Sequence, residues 1–248
     1  MSLLKALRLV LGDLGSLFPR TVRGEWSTKV WYFLLVAVVC QAGFWWLSTP
    51  GPNLIRHAPF APDTALSGVV WAAVTLLALP GLMFILVGGS PAAAGMRVGD
   101  ARFGFAAVGA CTVVAIPVLA LASGDASLQA TYPWAGSWVG GSVGRLLGWA
   151  VVYAVYYVAF EAFYRGFLLH AVAAAWGRVA GLWVQALCAT LIHLGKPLPE
   201  MLAAAPASLL FGVIALRSRS IVYPALLHLV VGLTIDVFVL ARQGLLFP

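Results

Sequence analysis

Two ionisable side chains lie one helical turn apart in an otherwise apolar stretch. Residues 160–170 read FEAFYRGFLLH, so that Glu161 precedes Arg165 by four positions. This order and spacing favour an ion pair on one face of a helix. One interpretation is a structural ion pair that fastens the helix to its neighbours. The other is a carboxylate that activates water, with the arginine fixing its position or its charge.

Two histidines farther along the chain could join this carboxylate. His193 ends one apolar run, and His228 lies within the last one. A carboxylate with two imidazoles suits general-base hydrolysis. The same three residues, Glu161, His193 and His228, also suit a zinc ion with water at its open position. Spacing alone leaves both chemistries open, so zinc stays a candidate cofactor.

Four further polar residues are candidates for a supporting role. Tyr157 lies one helical turn before Glu161, and Asp236 lies eight residues after His228, close to the same helix face. Lys196 and Glu200 follow His193 around two prolines, a pattern that suggests a shaped re-entry. The alternative for these last two is a simple ion pair with each other at the membrane boundary.

The composition predicts an all-α, polytopic membrane helix bundle. Hydrophobic residues make up 62% of the 248 and charged residues only 9%, with a mean hydropathy of +0.97. A soluble domain of this size carries far more surface charge. The net charge of +7 is scattered between apolar runs, which favours membrane orientation and argues against a nucleic-acid partner.

The apolar runs predict seven spans and one preceding surface helix. Residues 1–24 have the pattern of an amphipathic helix on the bilayer surface, and residues 25–248 form a single transmembrane domain. The spans are predicted at Trp31–Leu47, Ser67–Val87 (kinked at Pro80), Phe105–Ala122, Leu146–Phe163, Val179–His193, Met201–Leu216 and Val222–Leu240.

The distribution of basic residues predicts a cytoplasmic N-terminus. With that orientation, eleven of the fifteen lysines and arginines, Arg165 among them, lie on the cytoplasmic side and four on the other. The same topology places Glu161 near the inner end of its span and His193 near the outer end of the next. A shared site therefore requires a shifted boundary or a re-entrant segment.

The region from about 145 to 240 resembles the CPBP intramembrane proteases. The resemblance rests on three motifs in order: Glu161-Ala-Phe-Tyr-Arg165-Gly166, a later helix ending in His193, and another helix with His228. That family includes the CAAX prenyl endopeptidases and bacterial relatives linked to bacteriocin processing. The resemblance implies a helical bundle in a bacterial cytoplasmic membrane, with Glu161 and His193 activating water. Arg165 would orient Glu161, and His228 would stabilise the tetrahedral intermediate.

Three positions depart from the family's pattern. Phe160 stands where the first of two adjacent glutamates is usual, and Ala189 stands where the second motif usually begins with phenylalanine. Gly232 stands where a polar residue, often asparagine, usually follows the last histidine by four positions. Glu161 would then take over the role of the first glutamate, or Glu200 or Asp236 would substitute for it.

These patterns lead to one main hypothesis and two alternatives. The main hypothesis is an intramembrane endopeptidase that acts on a peptide or membrane-protein substrate within the lipid bilayer. The first alternative, based on Phe160 and Gly232, is an inactive relative that binds or chaperones membrane partners. The second is a transporter with Glu161 and His193 as a proton relay. The substrate and the oligomeric state have no signature in the sequence.

Overall fold

A computed structural model describes residues 26–48 and 62–248, with side chains from residue 29 to 48 and from residue 64 onward. The amphipathic helix predicted for residues 1–24 lies outside the described residues. The described part consists of helices and loops without strands, and six of its helices are long and apolar enough to cross a membrane. The predicted polytopic bundle is therefore confirmed.

The helices follow one another with short connections, and we number them in chain order. They are α1 (Trp26–Ser48), α2 (Pro62–Ala72), α3 (Leu79–Leu86), α4 (Ala101–Ala122), α5 (Ala126–Thr131), α6 (Val143–Glu161), α7 (Leu169–Trp176), α8 (Arg178–Leu191), α9 (Leu198–Ser218) and α10 (Val222–Arg242). A π-helical segment, Ala73–Ala78, joins α2 to α3, and another, Ala162–Leu168, joins α6 to α7. A 3-10 turn at Ser137–Gly141 precedes α6.

The longest apolar helix runs continuously from Val143 to Trp176 through α6, the second π-helical segment and α7. We call it the long helix. Its start is fixed by Ser142, whose hydroxyl accepts from the Arg145 amide at 3.2 Å. It ends at Gly177, which has a φ of +90°, a backbone conformation that favours glycine. The long helix packs against α1, α2, α8 and α10, so it is central to the bundle.

Two predicted boundaries differ from the structure. The fourth span was predicted to end at Phe163, but the helix continues for another thirteen residues, so Glu161 lies near its middle. The predicted fifth span is the shorter helix α8, which has 14 residues. At 1.5 Å per residue it is roughly 21 Å long, less than the roughly 30 Å of hydrocarbon in a bilayer.

Opposite ends of the bundle are closed by different loops. At one end, residues 88–100 pair with the turn after α9, where the Asp100 amide donates to the Ser218 carbonyl at 2.8 Å. At the other, residues 123–142 pair with the C-terminal segment, where the Phe247 amide donates to the Gly140 carbonyl at 2.8 Å. His193 lies near the second end. Leu121, Val151 and Leu202 are among many apolar side chains exposed around the bundle, as a lipid-facing surface requires.

Candidate active site

The Glu161–Arg165 pair is the most deeply buried ionic contact among the described residues. Arg165 Nη1 donates to Glu161 Oε1 at 3.1 Å, and both side chains are almost fully inaccessible to solvent. The predicted i,i+4 ion pair is therefore present. Because the two charges compensate each other, the long helix continues past this ion pair within the bundle. Arg165 thus belongs to the bundle interior, and removing it from the cytoplasmic count leaves ten basic residues against four.

The pair lies where the long helix changes from α-helical to π-helical geometry. Glu161 is the last residue of α6, and Arg165 lies inside the π-helical segment. His170 Nδ1 donates to the Arg165 and Gly166 carbonyls at 2.9 and 3.0 Å, which satisfies backbone groups of this segment. A Cβ at Gly166 would lie 2.9 Å from the Ala94 carbonyl oxygen, so glycine permits this close approach. Local π-helical turns occur frequently at functional sites.

His228, on α10, completes the environment of Glu161. Its Nδ1 donates to Glu161 Oε1 at 2.7 Å, so this one oxygen accepts from both Arg165 and His228. The other oxygen, Oε2, is buried and has no hydrogen-bond partner among the described residues. The Tyr157 ring stacks against the His228 ring with centroids 4.2 Å apart. Glu161 therefore holds His228 in one orientation and leaves its Nε2 for another partner.

His193 lies in the turn after α8 and is held by the backbone. Its Nδ1 donates to the Ala189 carbonyl at 2.6 Å, and its Nε2 lies 3.9 Å from Glu200 Oε1. Burial lowers the pKa of His193 to about 4; the Glu200 carboxylate opposes this shift and Lys196 adds to it. His193 is therefore neutral at pH 7, with a proton on Nδ1 and a lone pair on Nε2.

Glu200 is held by groups from two directions. The Tyr132 hydroxyl donates to Glu200 Oε2 at 2.8 Å, and Lys196 Nζ lies 3.6 Å from Oε1. Lys196 also lies over the Tyr132 ring, 5.5 Å from its centroid. The alternative interpretation from the sequence, a Lys196–Glu200 pair, is thus part of a larger cluster that includes His193. Burial and the neighbouring carboxylate raise the pKa of Tyr132 well above its usual value, so its hydroxyl remains a donor.

Phe160 occupies the space between the two histidines. Its ring centroid lies 6.1 Å from that of His193 and 5.2 Å from that of His228, edge to face in both cases. The side chain is buried, and its ring also contacts the Arg165 guanidinium at 5.8 Å. The two histidines, the Glu161–Arg165 pair and the Phe160 ring therefore form one cluster. Helix α6, the π-helical segment after it, helix α10 and the turn after α8 bring its members together.

Residues 142–234 match the family model described as type II CAAX prenyl endopeptidase Rce1-like. We refer to these residues, which the family model matches, as the Rce1-like domain. No curated protein and no solved structure matched the chain. The resemblance to the CPBP proteases is therefore confirmed for this region, which contains Glu161, Arg165, His193, Glu200 and His228.

Inside the Rce1-like domain, Tyr157 fills the place that Gly232 leaves open. A Cβ at position 232 would overlap the Tyr157 hydroxyl, so a larger residue there requires the tyrosine to move. Glycine thus admits a phenol beside His228 where the family usually has a polar side chain from α10. The sequence identified both residues but gave no sign that they meet.

Asp236 is separated from the histidine cluster by aromatic rings. Its Oδ2 accepts from Trp149 Nε1 at 2.9 Å, and its Oδ1 has no partner among the described residues. Trp149, Tyr153 and Tyr157 form a continuous run of ring contacts from Asp236 toward His228. The structure therefore makes Asp236 the partner of an indole, at the far end of an aromatic row.

A zinc site does not fit the arrangement of donors in the Rce1-like domain. Among the described residues, no three His, Cys, Asp or Glu side chains come together as a set of metal ligands. His228 Nδ1 and Arg165 both occupy Glu161 Oε1, and the His193 ring faces Glu200 instead. The predicted ligands Glu161, His193 and His228 are thus divided between two pairs, Glu161 with His228 and His193 with Glu200.

The site has one member that sequence reasoning missed. Tyr132 lies in the loop between α5 and the 3-10 turn, about sixty residues before His193. No periodic pattern in the sequence connects it to the three motifs. Its single signal was a tyrosine beside proline in a loop between two spans, which is too common to indicate a site.

Proposed function

We propose that this protein is an intramembrane endopeptidase that hydrolyses a peptide bond at the histidine cluster. The observation that carries the proposal is the convergence of His193 and His228 beside the buried Glu161–Arg165 pair, within the Rce1-like domain. Two imidazoles and carboxylates around one small space supply a base for water and a group for the developing oxyanion.

The roles follow from the hydrogen bonds. His193, neutral and with its Nε2 lone pair free of the backbone, accepts a hydrogen bond from the attacking water. His228, fixed through Nδ1 by Glu161, presents Nε2 toward the oxygen of the tetrahedral intermediate. The sequence hypothesis gave water activation to Glu161. In the structure its Oε1 is committed to Arg165 and His228, which supports a role in holding His228 in place.

The orientation supports access to the site from one side of the membrane. His193 and Glu200 lie toward the end of the bundle closed by residues 123–142. With a cytoplasmic N-terminus, this end faces away from the cytoplasm, because three spans separate it from residues preceding α1. We therefore propose an opening on the extracytoplasmic side of the bilayer, with the peptide approaching along the membrane surface.

The experiment is a cleavage assay with protein purified and reconstituted in lipid vesicles. Three internally quenched probes test three substrate classes: a farnesylated peptide with a CAAX end, the same peptide without the lipid, and an apolar membrane-spanning peptide. We expect at least one probe to be cut, and His193→Gln to slow that cleavage by about 100-fold or more, as removal of a group that positions and polarises the attacking water does. Wild-type protein that cleaves none of the three would contradict the proposal.

A non-catalytic, partner-binding protein is the second candidate, and one observation favours it. The apolar Phe160 ring fills the space between His193 and His228, where a substrate peptide or water would enter. In that case the wild-type protein cuts no probe, while stably folded His193→Gln protein retains the partner-dependent behaviour of the wild type. Co-purification of membrane partners with both forms would distinguish this function from hydrolysis.

A further inference from the structure

We propose that Glu200 is the carboxylate that deprotonates the attacking water, acting together with His193. The inference deepens the proposed function and rests on it. It starts from a contact between two hydrogen-bond acceptors: His193 Nε2 lies 3.9 Å from Glu200 Oε1. Because His193 Nδ1 already donates to the Ala189 carbonyl, a neutral His193 has no proton on Nε2 to offer the carboxylate.

Two facing acceptors require a donor between them. A water molecule provides two O–H groups, one for each acceptor, and its oxygen remains free to attack. With hydrogen bonds of about 2.8 Å to both atoms, a 3.9 Å separation gives an angle of about 90° at the water oxygen. That angle is slightly smaller than the H–O–H angle, so one water can serve both groups. This geometry suits a water molecule that is bound between His193 and Glu200 and polarised by both.

Glu200 is fixed in place for this role. The Tyr132 hydroxyl donates to Oε2 at 2.8 Å, so that Oε1 is the oxygen left facing His193. Lys196 Nζ lies 3.6 Å from Oε1, and Glu200 belongs to the first turn of α9, where the helix dipole favours a negative charge. These contacts hold the carboxylate in one orientation, with Oε1 toward His193.

Exposure distinguishes Glu200 from Glu161. The Glu200 side chain is 20% exposed and that of His193 is 16% exposed, whereas Glu161 is fully buried. A general base must return its proton in each cycle, either to the leaving group or to solvent. Glu200 has a path to water, and both oxygens of Glu161 lie inside the bundle. Among the described carboxylates, Glu200 is the one that lies beside a histidine and also reaches the surface.

The chemical step balances without any further reactant. The water oxygen forms a bond to the peptide carbonyl carbon while one water proton passes to Glu200 Oε1. The carbonyl π electrons move onto the oxygen, which faces His228. When the intermediate collapses, the C–N bond breaks and the proton on Glu200 passes to the leaving amine. Glu200 ends as a carboxylate, and the products are a carboxylic acid and an amine.

The simpler interpretation is that Glu200 only forms a surface ion pair with Lys196. Such pairs contribute roughly 0–1 kcal/mol and do no chemistry. Under that interpretation, neutralising Glu200 changes stability slightly and leaves the rate of cleavage unaltered. The two interpretations therefore differ in kcat, which is the quantity to measure.

The test uses the reconstituted full chain and whichever of the three quenched probes the wild type cuts. We expect Glu200→Gln to lower kcat by about 100-fold or more with little change in KM. Asp100→Asn is the matched control, since Asp100 also pairs with a basic residue, Arg217, but at the opposite end of the bundle. This control should retain the wild-type rate. Thermal unfolding of each variant verifies that the protein is folded.

A second variant tests the same inference through the tyrosine that holds Glu200. Tyr132→Phe removes the hydrogen bond to Glu200 Oε2 and keeps the ring, so we expect kcat to fall by about 10-fold with little change in KM. If the hydroxyl only stabilises the fold, the variant lowers Tm and leaves kcat of the folded protein unaltered. If Glu200→Gln does not fold, this change in kcat decides the question.

The outcomes separate this inference from the proposed function. If the wild type cleaves a probe and the kcat of Glu200→Gln lies within about threefold of the wild-type kcat, the role of Glu200 is overturned. The proposed endopeptidase function is then unaffected. An unaltered kcat in folded Tyr132→Phe protein overturns the role of Glu200 as well. Wild-type protein that cuts no probe overturns the proposed function, and the role of Glu200 with it.

Discussion

Replacing Arg165 with methionine should destabilise the protein strongly, because it leaves the Glu161 carboxylate buried without its cationic partner. Both side chains are essentially inaccessible, and their contact is 3.1 Å. Breaking a buried ion pair from one side costs roughly 3–5 kcal/mol. His228 still donates to the same Glu161 oxygen, so we expect the lower end, about 3 kcal/mol. For a chain of this size that corresponds to a fall of about 6–12 °C in Tm.

The double-mutant cycle makes this expectation specific to the ion pair. Glu161→Gln removes the other charge, and in the double variant neither charge remains buried alone. The double variant should therefore be more stable than the sum of the single effects predicts, by a coupling of about 1–3 kcal/mol. Thermal unfolding in detergent, followed by circular dichroism, measures all four proteins.

Gln185→Leu provides a control with a neutral buried hydrogen bond. Gln185 Nε2 donates to the Ser208 carbonyl at 3.0 Å, and the side chain is fully buried. Its loss should cost about 1 kcal/mol, well below the cost of Arg165→Met. The reasoning fails if Arg165→Met lies within about 1 kcal/mol of the wild type, or if the two single effects simply add.

Three further predictions concern groups around the site. Gly232→Ala should lower the free energy of unfolding by about 1–3 kcal/mol, since the added Cβ overlaps the Tyr157 hydroxyl. Adding Tyr157→Phe to this variant should recover part of the loss in Tm, and no recovery would contradict the overlap. Trp149→Phe should cost about 1–3 kcal/mol by leaving Asp236 Oδ2 unpaired, and Asp236→Leu in that background should restore stability rather than reduce it further. The folded-state pKa of His193, about 4 against an ordinary 6.5, means that the unfolded chain takes up the proton first as pH falls. Stability should therefore decline as the pH falls from about 6.5 to 4. Over that range Tm should fall less in His193→Gln than in the wild type, and an equal fall of Tm in both proteins would refute the lowered pKa of His193.

The bundle was predictable from the sequence, and so was the choice of four residues of the candidate site, because apolar runs and the polar residues inside them are strong chemical signals. Long apolar runs require helices in a membrane, since every backbone group must be paired within its own segment. Glu161, Arg165, His193 and His228 were conspicuous because polar groups are rare in such runs. Their order along the chain also carried the resemblance that the family model confirms for residues 142–234.

The depth of Glu161 could not be predicted from hydropathy. A hydropathy window counts each charged residue separately, so it predicts that the span ends between Glu161 and Arg165. The ion pair at 3.1 Å, together with His228, compensates the charges and lets the helix continue to Trp176. This extension removes the conflict between the predicted inner position of Glu161 and the outer position of His193.

The pairing within the site also depended on packing that no spacing rule contains. His193 faces Glu200 rather than Glu161, and the Phe160 ring lies between the two histidines. Tyr132 reaches Glu200 from a loop sixty-eight positions earlier in the chain, and such contacts are set by the tertiary fold alone. The contact between Gly232 and the Tyr157 hydroxyl likewise depends on how α6 packs against α10.

The central claim is that this cluster hydrolyses peptide bonds within the membrane with His193 in contact with the attacking water. The most direct test is the ratio of kcat/KM for wild-type and His193→Gln protein, in vesicles, on the probe that the wild type cuts. We predict a ratio of about 100 or more. A ratio near one, with both proteins folded, would show that the cleavage does not use this histidine and would contradict the account.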